Sequence, residues 1–154
     1  MSNSRKRRGF SLIELLIVIA IILIIVTVAL PKLNNATRFA HEAAAIKAIQ
    51  TIQTMQVQYN SQYGRFATTL TELGPPASGA ANASSADLID SNLAAGEKSG
   101  YKFSMTGNQS GYSISAVPVA YGNTGSRTFY SDQSMAIREN DGPEPATASS
   151  KEMK

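Results

Sequence analysis

A single carboxylate, Glu14, lies inside an aliphatic run from Phe10 to Leu30 whose other polar members are Ser11 and Thr27. A carboxylate in a hydrocarbon-facing helix costs on the order of 2.5–3.5 kcal/mol when central and less near the interface. A residue that expensive needs a partner unless it lies near the cytoplasmic face and snorkels into the headgroups, and an ionisable group inside a membrane segment reads as functional. The remaining reactive residues assemble into nothing comparable. There is one His, His41, no Cys and no Trp, which excludes disulfide scaffolds, thiolate zinc sites, iron–sulfur clusters and cysteine nucleophiles. His41 adjoins Glu42 on a helical stretch and reads as a solvated or packing residue. No G-x-S-x-G, G-x-x-x-x-G-K-[ST] or G-x-G-x-x-G occurs, so neither a serine hydrolase nor a nucleotide site has a warrant. Asp132, Glu139, Asp141 and Glu144 are the candidates for a calcium site, but Glu-Asn-Asp-Gly-Pro-Glu-Pro reads better as a solvated acidic tail, and no metal or other cofactor is expected. Asn35, Asn82 and Asn108 begin N-x-[ST] triplets, which a chain rich in Ser and Asn produces by chance.

The element that positions Glu14 is a long helix. Twenty-one residues at about 1.5 Å each span roughly 31 Å, the thickness of a bilayer's hydrocarbon core. Arg5, Lys6, Arg7 and Arg8 precede it and place that end in the cytoplasm by the positive-inside rule. The run exceeds the roughly 7–15 apolar residues of a secretory signal core, and no A-x-A site closes it. The net charge of +3 and pI near 9.3 belong to this basic head. Beyond residue 9 the balance is 10 Lys+Arg (14 less these four) against 11 Asp+Glu. Nucleic acid is therefore not expected as a partner of this chain.

Arg8-Gly9-Phe10-Ser-Leu-Ile-Glu14-Leu-Leu-Ile-Val, behind its basic leader, resembles the cleavage and methylation signature of type IV pilins and type II secretion pseudopilins. The resemblance is tight over roughly residues 5–32 and extends to the rest only in layout. It implies that a prepilin peptidase/N-methyltransferase cuts between Gly9 and Phe10 and methylates the new Phe10 amino group. It also implies that Glu14 meets the Phe10 amine of a neighbouring subunit, and that Pro31 stands where the family kinks its helix. A helix-breaking Gly common in the family is replaced here by Leu23. The physics agrees: an amine with pKa near 8 and a carboxylate, each unpaired in a low-dielectric filament core, relieve one another's burial by pairing. Glu14 is also favoured near a helix N-terminus by about 0.3–1 kcal/mol.

Beyond Pro31 the helical pattern continues. Ala45, Ala48, Ile52, Met55 and Tyr59 repeat at 3, 4, 3 and 4, widened by Ile46 and Ile49, with Lys47, Gln50, Gln53 and Gln56 read as the polar face. The spacing predicts a helix from about Phe10 to Tyr63 with Gly64 as a left-handed cap. A short turn over 68–74, a small-residue linker from Pro75 and a short helix over Asp87–Leu93, capped by Ser85 or Asp87, are expected next. Tyr101, Phe103 and Met105 alternate, as do Tyr112, Ile114 and Ala116, followed by strands at Thr128–Tyr130 and Met135–Ile137. The expected fold class is α+β: a long N-terminal helix packed on a small antiparallel β-meander. The expected divisions are a removable leader at 1–9, a transmembrane and assembly helix at 10–31, a head at 32–138 and a flexible tail at 139–154.

The function these features imply is structural. The resemblance points to a non-enzymatic subunit of a type IV pilus-like filament. Such a subunit is held single-pass in a bacterial inner membrane, N-terminus cytoplasmic and head periplasmic, and then moves to a surface pilus or periplasmic pseudopilus. Its implied partners are the processing enzyme, identical or related subunits in a homopolymer, an inner-membrane assembly platform and membrane lipid. A pseudopilin of a type II secretion system is the alternative, although the acidic Trp-containing C-terminal segment typical of major pseudopilins is missing. The Cys-bracketed loop of many major pilins is missing too. A signal-anchored periplasmic enzyme or binding protein is the more distant alternative, disfavoured by Gly9 and Glu14.

Overall fold

The computed structural model describes residues 9–108 and 110–153. Arg5, Lys6, Arg7 and Arg8 of the basic leader lie outside the described residues, and Leu30 and Pro31 are described only as helical backbone. Helix α1 runs over Leu12–Tyr63, and the chain divides into two compact units, Met1–Ala36 and Thr37–Lys154.

In the first unit α1 is apolar on every side. Leu12, Ile13, Leu15 and Leu23 are each more than 60 % exposed, and among the described residues none of the apolar segment is buried. A helix apolar all round is stable only in hydrocarbon or within an assembly. Thr27 adds little cost to that environment, because its hydroxyl donates to the Ile24 carbonyl at 2.8 Å within the same helix.

The second unit builds one core. Short helices α2 (Leu70–Leu73) and α3 (Ser91–Ala94) follow α1. Six strands then come in sequence, β1 (Glu97–Lys98), β2 (Tyr101–Asn108), β3 (Gly111–Pro118), β4 (Arg127–Asp132), β5 (Ile137–Asp141) and β6 (Lys151–Glu152). They form one antiparallel sheet in order β1-β2-β3-β4-β5-β6, the expected meander. The period of two is visible in burial: Tyr101, Phe103 and Met105 face inward, and so do Tyr112, Ile114 and Ala116. They pack with Ala45, Ala48, Ile49, Ile52 and Tyr59 of α1 and with Phe129 of β4. Gly64 ends α1 at φ 70°, a left-handed position, with its N–H on the Asn60 carbonyl at 2.8 Å.

Four local expectations are corrected. Gln53 and Gln56 are buried rather than outward. Gln53 donates to the Ser131 hydroxyl at 2.6 Å, and Gln56 both donates to the Ala67 carbonyl and accepts from the Ala67 N–H, each at 2.9 Å. The α3 cap is Asp90, which accepts the Leu93 N–H at 3.1 Å, because Asp87 sits at φ 54° and cannot start a helix. Met135 stands at φ 62° in the β4–β5 turn, so β5 begins at Ile137 opposite Ser131. Residues 139–153, expected to be a loose tail, are tied down. The Glu144 carbonyl accepts from Thr128 at 2.7 Å and Asn140 at 3.0 Å, Ala146 is buried, and the Met153 N–H bonds the Ile137 carbonyl at 2.9 Å. The Pro, Ala and Ser of this segment build no element of their own, yet its carbonyls serve donors that β4 and β5 present.

Candidate functional site

The N-terminal site is built by the first turn of α1. Gly9 and Phe10 precede the helix without regular structure and are exposed, Phe10 at 91 %. Ser11 is the residue before the helix and Glu14 the third within it, the S-x-x-E spacing of a capping box. The Ser11 N–H donates to Glu14 Oε2 at 2.8 Å, and the Leu15 N–H reaches the Ser11 carbonyl at 3.2 Å. One carboxylate oxygen thus satisfies an orphan amide of its own helix. Among the described residues Oε1 has no partner, so an incoming donor finds an acceptor already oriented by the cap. The peptide bond between Gly9 and Phe10 carries no competing fold around it, which is the condition a protease requires of its substrate. Pro31 lies within helical backbone farther along α1.

His41 is only partly solvated. It is half-buried, its Nδ1 is enclosed without a partner among the described residues, and a methyl placed on Gly100 would come within 3.0 Å of it. The larger omission of the sequence reading is its neighbour. Glu42 is fully buried and accepts from the Ser126 N–H at 2.8 Å, the Ser126 hydroxyl at 2.9 Å, Arg127 Nε at 3.0 Å and Arg127 Nη2 at 2.8 Å. Arg127 Nη1 reaches Glu139 at 2.7 Å. Burial opposes ionisation of Glu42, but the Ser126 amide, the Arg127 guanidinium and the Ser126 hydroxyl together hold its carboxyl below the usual carboxylate range. Burial likewise disfavours the Arg127 charge, and its two carboxylate partners more than restore it. The signal in the sequence is that 42, 45, 49, 52, 56 and 59 form one stripe at 3, 4, 3, 4 and 3, with Glu42 at its head. This cluster ties α1 to β4 and β5.

The acidic candidates for calcium do not converge. Glu139 is taken by Arg127 and, at 3.6 Å, by Lys151, while Asp132 accepts the Ser134 N–H at 2.9 Å. Glu144 contributes its backbone carbonyl to the fold, and Asp141 is exposed. Among the described residues no group of three or more His, Cys, Asp or Glu is placed to hold a metal ion. Two of the N-x-[ST] triplets serve turns: Asn82 Oδ1 accepts the Ser84 N–H and Asn108 Oδ1 the Ser110 N–H, both at 2.8 Å.

Residues 4–30 match the family model described as the prokaryotic N-terminal methylation motif. That motif is the type IV pilin and pseudopilin signature, and the long helix followed by an antiparallel sheet is a pilin-like α+β layout. No curated protein and no solved structure matches the chain. The motif points to a structural subunit rather than an enzyme, processed by prepilin peptidase and polymerised with pilin subunits, and the apolar helix fits anchoring in an inner membrane.

Proposed function

We propose that the chain is the subunit of a type IV pilus-like surface filament. It is stored in the inner membrane with its head in the periplasm, cut between Gly9 and Phe10, methylated on Phe10 and polymerised through residues 10–31. The observation that carries the reading is a carboxylate at the fifth position beyond the Gly9–Phe10 bond, in a largely aliphatic segment matched by the methylation motif. Before cleavage Glu14 serves its own helix cap. Cleavage places a cationic amine at Phe10, and Glu14 Oε1 on a neighbouring subunit is an acceptor for it. Two buried charges that are costly apart select one register, while aliphatic contact provides the bulk attraction. Pro31 removes one helical hydrogen bond and so gives α1 a place to loosen on packing.

The test is to extract the protein from membranes of the producing cell, sequence its N-terminus, and image surface fibres with and without the gene. A methylated Phe10 start and fibres that vanish with the gene are expected. A start beyond Leu30 overturns the filament reading. A Phe10 start with unchanged fibres and lost protein export assigns the chain to a secretion pseudopilus instead.

A further inference from the structure

Arg38 and the turn after β3 meet at one end of the second unit. Arg38 Nη1 donates to the Gly122 carbonyl at 3.4 Å, a long bond, and its guanidinium carbon stands 5.9 Å from the centre of the Phe39 ring. Its Nε is enclosed with no acceptor among the described residues. A guanidinium has five N–H donors, so this one is far from saturated. Around it Phe39, Tyr121 and Val119 are 59 %, 50 % and 43 % exposed. The turn that carries Tyr121 is preformed: Asn123 and Thr124 N–H donate to the Ala120 carbonyl at 3.1 and 2.9 Å, and the Gly122 N–H to the Gly125 carbonyl at 2.7 Å. A rigid turn therefore holds an aromatic ring outward beside an aromatic–arginine pair.

The charge of this surface has one sign. Residues 118–126 contain no Asp, Glu, Lys, Arg or His, and on residues 35–45 the charged groups are Arg38 and Glu42, with His41 between. Glu42 is buried and neutralised by Arg127, so it projects no negative field here. Exposed apolar side chains beside a half-buried cation are the composition of a bilayer interface, where rings lie at headgroup depth and arginine meets phosphate. The tether is short: whatever the path of the chain, eight residues from Leu30 to Arg38 span at most about 30 Å.

We propose that Arg38, Phe39, Val119 and Tyr121 form a foot that docks the head on the membrane surface and takes anionic phospholipid headgroups. The proposal rests on the membrane anchoring of the preceding reading and not on polymerisation. Docking holds the unassembled subunit at a fixed height and is released when the subunit leaves the bilayer.

The chain contains no Trp, so one substitution makes a site-specific reporter. Uncleaved full-length Tyr121→Trp and, as a control on the same unit, Val57→Trp are reconstituted in phosphatidylglycerol or phosphatidylcholine vesicles with bromine just below the headgroups. The indole of Tyr121→Trp should be strongly quenched in phosphatidylglycerol and that of Val57→Trp should not. Adding Arg38→Gln to Tyr121→Trp should lower the docking constant about fivefold, the weight of one basic residue at an anionic surface. Equal quenching of the two indoles, or equal docking on phosphatidylcholine, overturns the proposal. Emission changes that follow protein density rather than lipid overturn it in favour of a contact between copies. Because no step requires cleavage or fibres, a failure here is distinct from failure of the filament reading.

Discussion

Replacing Arg127 with Met is the sharpest test of what holds the head together. Glu42 is 1 % exposed at its side chain, and Arg127 supplies two of its four hydrogen bonds and all of its countercharge within 4 Å. Removing one partner of a buried pair strands the other, at a cost of about 3–5 kcal/mol. The Ser126 donors remain and place the expectation near the lower end of that range. Against a total of roughly 5–15 kcal/mol for a domain, this is a large fraction. For a unit of this size each kcal/mol lowers Tm by roughly 3–6 °C, giving a fall on the order of 10–20 °C. The assay is thermal unfolding of the full-length protein in detergent, followed by near-UV circular dichroism of the buried tyrosines Tyr59, Tyr101 and Tyr112. The double variant Glu42→Met/Arg127→Met should be less destabilised than Arg127→Met alone, since it leaves no stranded carboxylate at 42. A Tm loss under about 3 °C, or a double variant worse than the single, would refute the reasoning. The same cluster fixes a sign for pH. A carboxyl held below its unfolded value contributes stability above that value and loses it as pH falls through the folded value. The wild type should therefore weaken below about pH 4, and Glu42→Gln should flatten that part of the curve.

Glu14→Val should keep or improve membrane insertion, because a costly carboxylate is removed, yet abolish filament assembly when every subunit carries it; normal fibre yield would refute the pairing role. Glu14→Gln separates two roles, since an amide oxygen keeps the Ser11 cap but carries no charge, and fibres from this variant would show that capping alone suffices. Gly125→Ala should destabilise the head by about 1–3 kcal/mol, because the added methyl overlaps the hydroxyl and ring of fully buried Tyr101. Denaturant unfolding reads that loss, and an unchanged midpoint would show that the β3–β4 turn yields freely. Residues 32–154 expressed alone should be a soluble monomer that melts in one transition, and large oligomers at micromolar concentration would assign assembly to the head.

What was legible in the chain is what depends on near neighbours. The Gly9–Phe10–Glu14 spacing lies within two helical turns and the aliphatic run is a block of consecutive residues, so residue order alone carries both. The alternation through Tyr101–Met105 and Tyr112–Ala116 is likewise local, and a buried face follows from its period. The illegible features pair residues far apart. Glu42 meets Arg127 across 85 positions, Gln53 meets Ser131 across 78, and Arg38 meets Gly122 across 84. In each case polarity argues for solvent until a specific donor or acceptor is known to wait on the other side, and single-sequence periodicity has no means of naming it. The tail shows the same limit from the opposite direction. Its composition forbids a helix or a core of its own, but Thr128 and Asn140 need an acceptor, and the Glu144 carbonyl is one. Order there is conferred by the strands it lies against, so it follows the sheet and cannot precede it. The same asymmetry separates the two sites: the assembly segment is written in consecutive residues, whereas the foot exists only once β3 and β4 have brought their turn to Arg38.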